Sequence, residues 1–194
     1  IPVAQSFGAK KYSEMRNFVI NAAYLSAGLA IFIALTTSLL CRTILEAMGT
    51  PADIIDGSFA YLVVIFIGIP FTVLYNYLSS MIRSLGDSKT PFVFLVISAG
   101  LNVVLDLVFI IYVNMGVAGA AWATIISQAV SGVLCLVYMR SHYRILKFEE
   151  HEKAVDTNKM RKLHVMGLPM GLQFSITAIG TIMLQSAVNA LGTL

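Results

Sequence analysis

Polar and apolar positions alternate on a long scale along this chain of 194 residues, with uncharged runs separated by short charged clusters. Four runs carry no charge at all: Val19 to Leu40, Gly57 to Ile82, Gly116 to Met139 and Val165 to Leu194. A fifth, Thr90 to Val113, is interrupted only by Asp106. About 20 apolar residues, rising 1.5 Å each as a helix, cross the ~30 Å hydrocarbon core of a bilayer. The pattern therefore predicts an all-α membrane protein of five transmembrane helices, the first four near residues 17–47, 57–83, 90–113 and 116–140 and the last within 165–194. A soluble bundle with helices this long would carry a polar stripe facing water on each of them, so that reading is set aside. The first run is too long for a signal peptide and is preceded by Lys10, Lys11 and Arg16 without a small-residue cleavage pattern.

Composition agrees with a membrane solvent: hydrophobic residues make up 58% of the chain and charged residues 12%, against about a quarter charged in soluble domains. The basic residues then set the orientation. Segments 1–16, 83–89 and 140–164 together hold every Lys and Arg except Arg42, which makes that side cytoplasmic. The other side receives loop 41–56, with Glu46, Asp53 and Asp56, and the uncharged hairpin Asn114-Met115-Gly116. The net charge of +3 thus reports topology and gives no ground for a nucleic-acid partner. Cys41 and Cys135 fall near opposite membrane faces and are expected as free thiols. Segment 141–164 reads as a cytoplasmic linker between two membrane halves, and the mixed signs of "KFEEHEK" favour a solvated surface helix over an anionic-lipid site. The chain starts at Ile1 rather than Met and stops inside an apolar run, so a fragment of a longer chain is expected, whose missing helices would be its partners.

Asp106 carries the chemistry. A charge at the bilayer centre costs roughly 2.5–3.5 kcal/mol on insertion scales, and such residues face a bundle interior or a water-filled cavity. Asp106 lies seven residues before Val113 and Thr124 seven after Val117, on helices joined by a tight hairpin, which predicts the two at similar depth. Asn102 precedes Asp106 by one turn and Gln128 follows Thr124 by one turn, while Ser98 and Ser131 extend both stripes. The expectation is two facing polar stripes with Asp106 opposite Thr124 and Asn102 opposite Gln128. Ser98, Ser131 and Gln128 also suit plain helix-to-helix hydrogen bonds, each contributing around 0.6 kcal/mol. A carboxylate adds what an amide lacks: a carboxyl group buried in lipid favours its neutral form, and an adjacent cation favours the ionised one. Carboxylate, amide carbonyl and hydroxyl oxygens together suit a hard cation such as Na⁺, while a proton needs Asp106 alone; both stay open.

No other constellation competes. His142, His151 and His164 lie in or beside the basic cytoplasmic segment without ligand spacing and read as solvated surface, and no nucleophile and base are paired as an enzyme would need. "LGDSKTP" lacks phosphate-loop spacing and reads as a turn in which Thr90 caps a helix begun by Pro91. Gly116, Gly119, Ala120, Ala121 and Ala123 form a small-residue packing seam. Pro70 and Pro169 each remove a backbone donor inside a helix and predict kinks.

"FGAKKYSEMR", "RSLGDSKTP", "NVVLD", "GVAGAAWATIISQ" and "GLPMGLQFS" together resemble, in order and spacing, the multidrug and toxic compound extrusion (MATE) family. The resemblance implies a fragment of a twelve-helix, two-lobe transporter: residues 1–140 as part of the N-terminal lobe, 141–164 as the interlobe linker and 165–194 as the first helix of the C-terminal lobe. It also implies a cation site on Asn102, Asp106 and Thr124 that an Asp on a helix outside this chain would complete. Ser175 stands where some members carry a Glu, which leaves coupling with Asp106. The implied activity is a Na⁺- or H⁺-coupled antiporter in the cell membrane, the inner membrane where there are two, exporting small amphipathic organic molecules with no bound cofactor. Tyr75, Asn76, Tyr77, Gln128 and Ser98 are candidate cavity-lining residues. The rivals are a flippase for lipid-linked saccharides, whose cavity would be rich in Arg and Lys, and a non-transporting membrane subunit, which leaves Asp106 unexplained.

Overall fold

The computed structural model describes residues 1–47, 50, 51, 53–146, 152 and 154–191. Every described element is helical: α1 (Pro2–Gly8), α2 (Tyr12–Ala47), α3 (Ile55–Ile67), α4 (Ile69–Ser84), α5 (Lys89–Leu107) running into a π-helical turn (Val108–Tyr112), α6 (Gly116–His142), a short 3₁₀ turn (Arg144–Leu146) and α7 (Thr157–Leu191). Helices α2, α5 with its π turn, α6 and α7 are each long and apolar enough to cross a membrane, and α3 with α4, bent by 41° at their junction, are so when taken together. The chain is an all-α, multi-pass membrane protein. It divides into two compact units, Ile1–Ala154 and Val155–Leu194.

In the first unit α6 is the central post, packing against α3, α4 and α5, while α2 packs against α3 and α4. Small residues explain why α6 takes that place. Gly119, Ala121, Ala123 and Gly132 are buried, and a Cβ at Gly119 would stand 3.0 Å from the Phe109 Cβ, one at Gly132 3.2 Å from Leu74. Lipid tails are as apolar as leucine, so helices in a bilayer associate by this kind of close fit. The bend between α3 and α4 falls at Gly68, two residues before Pro70, and there too the missing side chain matters: a Cβ on Gly68 would overlap Ile125 of α6. The kink expected at Pro70 is thus present, and Pro70 opens the first turn of α4, where its absent N–H is no loss. Pro169, by contrast, does not break α7, which continues unbroken from Thr157.

Both short connections are set by left-handed residues. Gly86 (φ 97°) ends α4, with the Asp87 N–H reaching back to the Ile82 carbonyl. Asn114 and Gly116 (both φ 57°) turn the chain between the π turn and α6, positions that Asn and Gly tolerate. The expected Thr90 cap is corrected here. The cap is Asp87, whose Oδ1 accepts the N–H groups of Lys89 (3.1 Å) and Thr90 (3.0 Å), so α5 begins two residues before Pro91. Proline can sit in this first turn because it has no N–H to satisfy. Asp156 serves α7 in the same way, accepting from Asn158 and Lys159. That helix therefore starts at Thr157, inside the segment expected to be linker. The Tyr138 hydroxyl donates to Asp87 Oδ2 at 2.9 Å, and its ring stacks on His142 (centroids 4.2 Å) and meets Phe94 edge-on. Arg16 at the start of α2 holds Glu152 with two hydrogen bonds, of 2.6 and 2.7 Å.

Asp87 gives a pH-dependent test. Its carboxyl is held below the ordinary value of 3.8, first by the backbone N–H of Thr90 and then by the Thr90 and Tyr138 hydroxyls and the Lys89 N–H, with burial opposing them. A depressed carboxyl contributes stability that is present above its unfolded value and is lost as pH falls through the folded one. Asp87→Ala should lower stability by about 1 kcal/mol at neutral pH, the usual worth of such a cap. The gap to the unsubstituted protein should close below the ordinary carboxylate range. Thermal unfolding midpoints in detergent across pH measure it.

Candidate functional site

Three hydrogen bonds join α5 to α6 and fix their register. Ser131 Oγ donates to the Phe94 carbonyl (3.4 Å), Ser98 Oγ to the Ser127 carbonyl (2.6 Å), and Asn102 Nδ2 to Thr124 Oγ1 (3.5 Å). The residues on α5 advance by one turn as those on α6 retreat by about one, as antiparallel helices require. Continuing the ladder by one more turn sets Asp106 level with Ala120, whose carbonyl already accepts the Thr124 hydroxyl at 3.0 Å. The pairing expected from counting residues to the hairpin is therefore off by about a turn: Asn102, not Asp106, stands opposite Thr124, and Ser98, not Asn102, is nearest the level of Gln128. The π turn Val108–Tyr112 contributes to this offset. Its wider i→i+5 bonding, seen in Val113 N–H to the Val108 carbonyl, shortens the arm between Asp106 and the hairpin. Asn102 and Asp106 still share one face of α5, four residues apart.

The electrostatic character of this seam lies in what is left over. Asn102, Asp106, Thr124 and Gln128 are all half-buried. Asp106 Oδ1, Gln128 Oε1 and Ser127 Oγ are buried and without a hydrogen-bond partner among the described residues. Buried polar atoms without partners are rare in proteins, and each calls for a partner such as water, an ion or a ligand group. The Asn102 amide and Thr124 hydroxyl in contact, with the Asp106 carboxylate one turn along α5, give this end of the seam the capacity to take up a cation or a donor group, while Gln128 lies about two turns of α6 from the level of Asp106. The seam has no basic residue at these positions to neutralise Asp106 from within.

The other candidate residues fall elsewhere. Ser98 and Ser131 join the helices through backbone carbonyls, as the plain hydrogen-bonding alternative expected. Tyr75 is buried, with its hydroxyl donating to the Pro91 carbonyl (3.2 Å). Asn76 is exposed and bonds back to the Thr72 carbonyl of its own helix. Tyr77 lines a cavity of about 450 Å³ between α2, α4 and α6 that Tyr75 and Asn76 do not border, and its wall is otherwise almost wholly apolar, including Ala27, Phe71, Leu74 and Leu136. Its hydroxyl is occupied by the Val19 carbonyl at 2.6 Å, so the cavity presents the ring. Neither Asn102, Asp106 nor Thr124 borders that cavity. Among the described residues no group of His, Cys, Asp and Glu is arranged to hold a metal; Cys41 and Cys135 are buried free thiols. His142 and His164 are exposed, and His151 lies outside the described residues. Sequence reasoning missed the π turn, since nothing in "VFIIY" distinguishes it from α-helix, and the unpartnered Gln128 oxygen, which only the register reveals.

Bent and unbent spans around a small-residue post, with a polar seam at α5 and α6, define a multi-pass membrane protein carrying an ionisable group inside the bilayer. The MatE family model matches residues 1–108, and the chain belongs to that family. The probable multidrug resistance protein YpnP of Bacillus subtilis (strain 168) is 32% identical over 194 residues, which cover 98% of this chain and 42% of that protein. The multidrug export protein MepA of Staphylococcus haemolyticus (strain JCSC1435) is 24% identical over 91% of this chain and 39% of its own length. Among solved structures, the outward-facing conformation of a multidrug resistance MATE family transporter of the MOP superfamily shares the fold with a TM-score of 0.88 at 24% identity, covering 98% of this chain and 43% of that one. The inward-facing conformation of such a transporter matches with a TM-score of 0.79 at 25% identity, over 87% of this chain and 38% of that one. The chain thus spans less than half the length of the relatives it matches.

The ladder predicts which polar residues serve structure alone. Ser98→Ala should remove one interhelical bond and cost around 0.6 kcal/mol, lowering the thermal midpoint slightly.

Proposed function

We propose that the protein of which this chain is part exports small amphipathic organic molecules across the cell membrane, driven by inward movement of Na⁺ or H⁺, with Asp106 as the coupling carboxylate and Asn102 and Thr124 as its neighbours. The observation that carries this reading is Asp106 Oδ1 on a membrane-spanning helix, buried and without a hydrogen-bond partner among the described residues, one turn from the Asn102–Thr124 hydrogen bond. A carboxylate left without a protein partner in hydrocarbon needs a cation or a proton, and a group that gains and loses one can bias two conformations of a bundle, which coupling requires. Kinship supports it as well, since the relatives named above are described as multidrug resistance or multidrug export proteins. The apolar cavity lined by Tyr77 and Phe71 suits an aromatic or aliphatic organic molecule. Its wall contains no Arg or Lys, which speaks against the saccharide flippase, whose phosphate-bearing cargo would need them. The division into N-terminal lobe, linker and first helix of a second lobe belongs to the same proposal, as does the completion of the site by helices outside this chain.

In the full-length protein, Asp106→Asn keeps the side chain's size and removes its charge. Energised dye efflux from vesicles should fall by something in the roughly 5–150-fold range of coupling free energies, with expression and thermal stability nearly unchanged. Efflux at the unsubstituted rate removes Asp106 from the mechanism. Thr124→Ala distinguishes the ions: it should raise the Na⁺ concentration needed for half-maximal efflux at fixed pH if sodium drives the cycle, whereas a proton cycle shows no Na⁺ dependence in either protein.

A further inference from the structure

Two cavities lie along the same pair of helices, α2 and α6, on either side of the break at Gly68. The apolar one, of about 450 Å³, has Pro70 and Phe71 of α4 and Leu136 of α6 in its wall. The other, of about 530 Å³, lies toward the hairpin end of α6, between Leu45 of α2, Val117 of α6 and the first half of α3, where Tyr61 and Leu62 line it. The last turn of α3, residues 63–67, borders neither.

The two arms of the bent span are held very differently. Helix α4 is tied down: Gly132 of α6 admits Leu74, the Tyr75 hydroxyl donates to the Pro91 carbonyl at 3.2 Å, and that of Tyr77 to the Val19 carbonyl at 2.6 Å. No residue of α3 is buried. Segments with few buried contacts are the ones that move at low cost. At the joint, Gly68 donates to the Val64 carbonyl and accepts from the Phe71 N–H, both at 3.0 Å, and Pro70 has no N–H with which to carry the helix across. Glycine and proline are where sharp bends arise. Ile125 of α6, 7% exposed, seats this joint. A Cβ on Gly68 would stand 2.6 Å from its Cδ1, so Ile125 rests on bare backbone. The residue before it is Thr124, whose Oγ1 accepts from Asn102.

We infer that α3 is a gate between the two cavities, pivoting at Gly68, and that Ile125 ties its position to the state of the Asn102–Thr124 seam. A shift of Thr124 as an ion or proton comes and goes is carried one residue along α6 to Ile125 and from there to the joint. Ile125 is a positioning residue, since it touches neither the seam's polar atoms nor the cavity wall. Straightening the 41° bend would swing Ala60, eight residues or about 12 Å from Gly68, sideways by about 8 Å, away from the helices that bound both cavities. The inference rests on the reading of Asp106 and its neighbours as the coupling site, and coupling of this kind acts in both directions.

The test uses the full-length protein in lipid, with its native cysteines replaced by alanine and spin labels at Ala60→Cys on α3 and Met115→Cys in the hairpin, both exposed. Pulsed electron paramagnetic resonance measures their separation in sodium-free and sodium-rich buffer and at acidic and alkaline pH. The separation should shift by several ångströms, up to about 8 Å, across one of those changes. Ile125→Ala should abolish the shift and give one separation in every buffer. Ile125→Val trims only the methyl group nearest Gly68 and should reduce the shift, which supplies the readout should Ile125→Ala fail to fold. A shift of full size in either Ile125 variant, or a constant separation in the unsubstituted protein, overturns the gate. Dye efflux separates this idea from the coupling reading. Asp106→Asn transporting at the unsubstituted rate, beside a shift that Ile125→Ala abolishes, keeps the gate and discards the role of Asp106. Transport lost in Asp106→Asn, beside a constant separation in the unsubstituted protein, does the reverse.

Discussion

Inside a hydrocarbon layer a polar group without a partner is costly, and that constraint governs how the spans of this structure pack. Water satisfies stray polar groups in a soluble protein, whereas here every N–H, carbonyl and hydroxyl within the spans must find its partner inside the bundle. Most do. Thr36, Thr37, Thr124, Thr177 and Thr181 return their hydroxyls to carbonyls four residues back, Tyr75 and Tyr77 find carbonyls on neighbouring segments, and Ser98 and Ser131 tie α5 to α6. Among the described residues the buried exceptions are Asp106 Oδ1, Gln128 Oε1 and Ser127 Oγ, and Ser38 Oγ on α2. An asparagine at 106 would keep the size at lower cost in lipid, so the charge is the informative feature.

The close approach of α5 to α6 depends on residues that have almost no side chain. Gly119 admits Phe109 from the π turn, and the turn in turn compresses the arm of the hairpin so that Asn102 reaches Thr124. A larger residue at 119 would push the helices apart at the level where the polar residues meet. Gly68 does the equivalent for the bent span, letting Ile125 sit against its backbone one residue after Thr124. The packing seam and the polar seam are therefore one construction seen from two sides of α6.

Much of this was legible in the amino-acid sequence because bilayer thickness imposes a length on apolar runs that no local propensity disguises. Four or five spans and the bend near Pro70 follow from counting, as does the choice of Asn102, Asp106 and Thr124 as candidates. The limits of counting are equally specific. A π turn has no sequence signature in "VFIIY", so the depth match between Asp106 and Thr124 came out one turn wrong. Asp87 and Asp156 were read as loop charges although each caps the helix that follows, because a capping side chain two residues upstream looks the same in sequence as a solvated one. Pro169 resembles Pro70 on paper, each with a glycine two residues before it, yet α7 runs through its proline as one helix while the helix is divided just before Pro70. Arg16 and Glu152 lie 136 residues apart, a pairing that charge patterning along the chain does not disclose.

The central claim is that Asp106 exchanges a proton or a cation during the cycle, and infrared difference spectroscopy addresses it directly. Spectra of the full-length protein in lipid, taken between sodium-free and sodium-rich buffer and between acidic and alkaline pH, would be compared with those of Asp106→Asn. The account predicts a protonated-carboxyl stretching band that appears or vanishes with one of those changes in the unsubstituted protein and is missing from the variant. Difference spectra that are identical in the carboxyl region for the two proteins, under both exchanges, would contradict it.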